Sequence, residues 1–177
     1  MYEDLKIILW PDPRLRKISQ PVGTFDDSLA ALSARMFELM REARGVGLAA
    51  PQVGLNIRLF VANATGEPSD DLIYVNPVLS DADGEAEAEE GCLSLPKING
   101  HILRSKAMKI RAQNVKGEWF EQVSDDFPAR IWQHEFDHLN GTLLMDRMGP
   151  AEKMAAKKQL RELEDAWAEA HPVKKKK

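Results

Sequence analysis

The sequence predicts an α+β protein in which mostly antiparallel sheets pack around a central helix, with a further helix towards each end. Three observations carry this. Apolar residues recur at helical spacing in three separated stretches, and short β-branched or aromatic runs bounded by Gly, Pro, Asn and Asp cluster between them. The chain has 177 residues, 44% of them hydrophobic and 29% charged, which suits one domain with a real core.

The first helix is expected over residues 25–43, where Leu29, Leu32, Met36, Leu39 and Met40 share a face and Asp26 or Asp27 can cap the start. RGVGLAAPQVG follows, and its Gly45, Gly47, Pro51 and Gly54 break regular helix, so an ordered loop or irregular edge strand is expected. IRLFVAN, LIYVNPVL, AMKIRAQNV and EWFEQV read as strands, and Asp81, Asp83, Glu85, Glu87 and Glu89 read as one solvated strand face. SDDFPARIWQHEFDHLNG reads as the central helix, with Ser124 or Asp125 as its cap, Pro128 in the first turn and Gly141 as its stop. After Gly149-Pro150 a last helix runs to about Glu169, packing through Leu160, Leu163 and Trp167, and His171-Pro172 ends it.

The net charge of −4 is uneven, because residues 150–177 carry a net +3 and leave a body of −7. No run of 18 apolar residues exists to cross a membrane, and the acidic opening MYEDLKIILW lacks the basic region of a secretory signal. Cytoplasmic residence is therefore expected, with the mature form of an organellar protein as the alternative, and neither a membrane nor DNA is expected as a partner. Monomer is the default.

Within QHEFDH, His134 and His138 are four residues apart, so on a helix their Cβ atoms lie about 5–6 Å apart on one face. Glu135 sits roughly 100° further round, placed to reach a water on an ion that the histidines hold. A hydrolytic metal site needs a third protein ligand and an open position. His101, after Asn99-Gly100 in an expected turn, and His171, in the tail, both read as solvated. Cys92, the single cysteine, stands in EEGCLSLP in a stretch that reads as a strand entering the core, and is either a small buried hydrophobe or that ligand.

GVGLAAPQVG, EGCLSLP and QHEFDH, in this order and at these separations, resemble the three signature motifs of peptide deformylases. The likeness extends through WPDPRLRKISQPV and covers residues 5–148. It implies a catalytic portion over residues 1–149, with residues 150–177 as the C-terminal helix and basic tail of the same domain. It further implies that Cys92, His134 and His138 bind one divalent metal, Fe²⁺ in the bacterial cell, with Zn²⁺, Ni²⁺ or Co²⁺ as substitutes. Glu135 is then the general acid/base, and Gln52 and the Leu93 N–H are the oxyanion donors. The implied reaction removes formate from the N-terminal formyl-methionine of nascent peptides. Cys92 would also be exposed to oxidation with its iron.

The backbones of Gly45, Val46, Gly47 and Gly91 could then hold an extended peptide, while Val46, Leu95, Ile131 and His134 wall the methionine pocket. Some deformylases carry arginine where this chain has Asn99, and Arg130, one turn before His134, is expected to supply that guanidinium at the pocket rim. Asp137 and Arg104 are the expected partners behind the ligating histidines. The cationic face of Lys153, Lys157 and Arg161, with Lys174–Lys177, suits ribosomal RNA phosphates. Two competing functions are an ordinary zinc protease, against which the cysteine argues, and a noncatalytic metal-binding relative, against which Gln52, Leu93 and Glu135 together argue.

Overall fold

The structure, a computed structural model, describes residues 1–172; the Lys174–Lys177 run lies outside the described residues. Helix α1 spans Asp27–Glu42, and the Asp26 carboxylate caps it by accepting from the Leu29 N–H at 3.1 Å. Its face of Leu29, Leu32, Met36, Leu39 and Met40 is buried as its spacing requires.

The glycine-rich stretch resolves into two pieces. Strand β1, Gly47–Ala49, is followed by a 3₁₀ turn, Ala50–Val53, that Gly54 closes in the left-handed conformation (φ 82°). Strands β2 (Leu59–Ala62), β3 (Leu72–Asp83), β6 (Ala107–Gln113) and β7 (Trp119–Ser124) join β1 in an antiparallel sheet of order β1-β2-β3-β6-β7. Strands β4 (Ala86–Cys92) and β5 (Leu95–Arg104) form a separate antiparallel pair.

Three local expectations are corrected. The acidic run is not one strand face: the chain turns at Gly84 (φ 62°), so Asp81 and Asp83 end β3 whereas Glu87 and Glu89 belong to β4. Asn99 and Gly100 form no turn but lie inside β5, because pairing with Glu90 and Gly91 overrides their turn preference. His101 is therefore a strand residue, and its ring lies beside the Glu152 carboxylate at 3.3 Å. The cap of the central helix is Asp126, since Ser124 is still paired in β7 with Met108.

That helix, α2 (Phe127–Leu139), buries Ala129, Ile131, Trp132, Glu135, His138 and Leu139. Ile131 and Trp132 join Phe60, Tyr74 and Ile110 of the large sheet in one apolar cluster. A short helix α3 (Leu144–Arg147), absent from the sequence reading, precedes α4 (Pro150–Ala170). Ala156, Leu160 and Leu163 of α4 pack with Leu95, Ile98 and Ile102 of β5 and with Cys92 itself. Trp167 stacks instead on His171, with ring centroids 3.7 Å apart.

The α+β reading thus holds: two antiparallel sheets flank α2, with α1 and α4 outside. Among the described residues no helix is long and apolar enough to cross a membrane.

Candidate metal centre

Two elements meet at the site. Strand β4 delivers Cys92 at its end, and α2 delivers His134 and His138 from one face. Cys92 Sγ lies 3.4 Å from His138 Nε2, which lies 3.3 Å from His134 Nε2. One ligand atom from each of the three residues falls within 4.8 Å of the others. A thiol and two imidazole nitrogens converging in this way fit a divalent ion of the iron-to-zinc series.

The surroundings aim these atoms. Glu90 Oε2 is 2.9 Å from His134 Nδ1, so the carboxylate accepts that N–H and turns the Nε2 lone pair towards Cys92 and His138. Arg104 holds Glu90 in turn, donating from Nε at 2.6 Å and from its second terminal nitrogen at 2.9 Å, and reaches Asp137 at 2.9 Å with the other. Asp137 accepts additionally from Arg147. The expected role behind the histidines is therefore divided: among the described residues Asp137 bonds arginines and neither imidazole, and Glu90 is the histidine partner that sequence reasoning missed. A signal existed, because Glu90 is two residues before Cys92 on a strand and must share its face.

Burial disfavours charge on Glu90, yet His134 and Arg104 outweigh it and hold the carboxyl at about 2. Burial likewise opposes a charged His134, but Cys92 and Glu90 beside it raise the imidazole well above its ordinary value. Burial and the neighbouring His134 keep His138 well below its own, in the form that offers a lone pair.

Glu135 is 3% exposed, and burial lifts its carboxyl to about 7 even with His134 and Arg104 nearby. One of its oxygens, Oε2, has no hydrogen-bond partner among the described residues. Gly47 faces it so closely that a Cβ there would overlap the Glu135 carboxylate. Gln52 is 1% exposed; its Oε1 accepts the Ala49 N–H at 3.0 Å, which forces Nε2 towards Ser94 Oγ (3.2 Å) and Cys92 Sγ (3.6 Å). An amide donor thus points at the ligand cluster.

A cleft of about 550 Å³ opens onto this cluster. Gly45, Val46, Gly47, Gln52, Gly91, Cys92, Leu93, Leu95, Arg130, Ile131, His134 and Glu135 all line it, and only His138 of the expected site residues sits behind it. Both walls are strand edges, because among the described residues β1 pairs only with β2 and β4 only with β5. Leu95 and Ile131 are buried wall residues, whereas Val46 is 41% exposed. Arg130 borders the cleft with its charge turned inward: its terminal nitrogens donate to Glu90 (2.8 Å) and to the carbonyls of Ile102 (3.0 Å) and Ala86 (2.6 Å). It braces Glu90 and offers no free guanidinium at the rim.

An HExxH helix with a thiol in reach, a buried carboxyl and an open cleft defines a metal-dependent hydrolase. Residues 4–154 match the polypeptide deformylase family, and the chain belongs to that family. It is 47% identical to a peptide deformylase of Thermotoga petrophila over 159 residues, 89% of this chain and 95% of that one. A plant peptide deformylase superposes with a TM-score of 0.93 at 38% identity, covering 98% of this chain and 96% of the other. The Plasmodium falciparum peptide deformylase gives 0.91 at 36% identity over 94% and 99%. The chain is therefore an enzyme that removes the N-terminal formyl group from nascent polypeptides.

Proposed function

We propose that Cys92, His134 and His138 hold one divalent ion, Fe²⁺ in the cell with Zn²⁺, Ni²⁺ or Co²⁺ able to replace it, and that the cleft beside it binds formyl-methionyl peptides. The observation that carries this is the convergence of the three ligand atoms directly beneath the cleft. The ion supplies Lewis acidity, which activates water and polarises a carbonyl.

The chain's own groups do the rest. The Gln52 amide and the Leu93 N–H donate to the formyl oxygen as negative charge builds there, and one such donor is typically worth about 10²–10³ in rate. Glu135, held dry with Oε1 opposite Gly47 and Oε2 unpartnered among the described residues, takes the water proton and passes it to the departing amine as formate leaves. The edges of β1 and β4 hold the peptide through Gly45, Val46, Gly47 and Gly91, and Val46, Leu95 and Ile131 with His134 enclose the methionine side chain. Arg130 positions Glu90, and through it His134.

Anaerobic purification followed by metal analysis and formate release from formyl-Met-Ala tests this. Iron at about one per chain with rapid turnover, both lost in air, is the expected result; full iron and constant turnover after aerobic purification would count against Fe²⁺.

The same reading takes the chain as one domain, supported by the apolar cluster that α4 shares with Cys92, and as a cytoplasmic monomer or the mature form of an organellar protein. Exposed Lys153, Lys157 and Arg161 support docking of α4 on ribosomal RNA. Ribosome affinity measured over a salt series should fall when these three are changed to glutamate, and unchanged affinity would end the docking idea.

A further inference from the structure

With Arg130 turned inward, the positive charge at the mouth of the cleft comes from two other residues, Arg44 and Lys97, on opposite walls. Arg44 ends the turn after α1, and moving inward from it along the same wall come Gly45, Val46 and Gly47, the last against Glu135. Arg44 is thus on the side away from the reacting carbon. Lys97 stands on a bulge of β5: Gly91 pairs with Asn99 but Cys92 with Leu95, so Pro96, Lys97 and Ile98 have no partners in β4.

Both residues are exposed and both adopt left-handed backbone, φ 56° for Arg44 and φ 64° for Lys97, a conformation that costs a non-glycine residue free energy and gathers at functional sites. Among the described residues neither side chain makes an ion pair or a hydrogen bond. The body of the protein is acidic, so two free cations lining the same cleft run against its overall charge. Among the described residues Glu89 is the one exposed carboxylate in the same lining, which leaves two of their cations against one anion at the rim.

We propose that Arg44 and Lys97 are specificity residues that favour an aspartate or glutamate at the second or third position of the formyl-methionyl peptide. The inference rests on the cleft binding that peptide in an extended form, as argued above. A peptide with its formyl end at Cys92 and its methionine between Leu95 and Ile131 leaves along the Gly47-to-Arg44 wall. Its next side chains then pass between the two cations. Exposed charge pairs are individually weak and screened by salt, so the preference is graded and not absolute.

The test is kcat/KM of the metal-loaded enzyme on formyl-Met-Ala-Ala and on versions with Asp or Lys at the second or third position, at low and high ionic strength. Acidic peptides should exceed their lysine counterparts by about threefold to tenfold at low salt, through KM with kcat unchanged, and the ratio should shrink as salt is added. Arg44→Asn and Lys97→Asn, which keep a side chain tolerant of left-handed backbone, should each lower the ratio. Arg44→Glu with Lys97→Glu should invert it, with the neutral peptide as internal reference. Equal kcat/KM for acidic and basic peptides at low salt overturns the clamp alone. Formate release from none of the peptides overturns the assignment of the cleft and the clamp with it.

Discussion

Glu135 and Glu90 are both buried carboxyls beside His134, but their surroundings differ. Glu90 accepts from two arginines and an imidazole, whereas Glu135 lines the cleft and its buried Oε2 has no partner among the described residues. Glu135→Gln preserves shape and removes the proton acceptor, so kcat should fall by about 10²–10⁴ with metal content retained, as metal analysis alongside formate release would show. Glu90→Gln loses the charge that orients His134, leaves Arg130 uncompensated and leaves Arg104 with Asp137 alone. Metal affinity should drop about 10- to 100-fold in a chelator competition, and stability should fall with it. Gly47→Ala places a methyl against the buried Glu135 carboxylate without backbone strain, so activity should fall at least about tenfold, with a drop of a few degrees in melting temperature as the side chain is displaced.

Strand β3 and helix α2 are tied by a relay in which Trp132 Nε1 donates to Tyr74 Oη at 2.9 Å and Tyr74 donates to Gln122 Oε1 of β7 at 2.8 Å. Tyr74→Phe strands the buried indole N–H and should destabilise the fold by about 1–3 kcal/mol in denaturant titration. Burial pushes the Tyr74 phenol from 10.0 up to about 12. Its folded value is thus the higher one, so its stabilisation is complete below pH 10 and is lost as the pH rises from 10 to 12. The phenylalanine variant lacks this loss, and its stability curve should be flatter than the parent's over that window. The helices were readable because an amphipathic face is local information. Strand β5 was not, because Pro96, Asn99 and Gly100 favour turns and only pairing with β4 makes them a strand.

At the scale of the molecule, α4 closes the cluster around Cys92, Leu95, Ile98 and Met148 through Ala156, Leu160 and Leu163. Removing residues 150–177 uncovers that apolar surface. The melting temperature should fall by several degrees and metal should dissociate faster, whereas a truncated chain with unchanged stability would show that α4 is dispensable to the core. The sequence by itself determined the α+β class, the helical placement of His134, Glu135 and His138, and the motif order that resembles the family, because periodicity and short motifs are properties of neighbouring residues. It named Cys92 as the partner only through that resemblance. The tertiary structure alone decided that Cys92 stands 3.4 Å from His138, that Glu90 rather than Asp137 accepts from His134, and that Arg130 turns inward and leaves the rim to Arg44 and Lys97. Each of these contacts joins residues 40 or more apart in the chain, or opposite walls of one cleft. Such distances close only when β4 packs on α2, and no local pattern records where that packing brings a side chain.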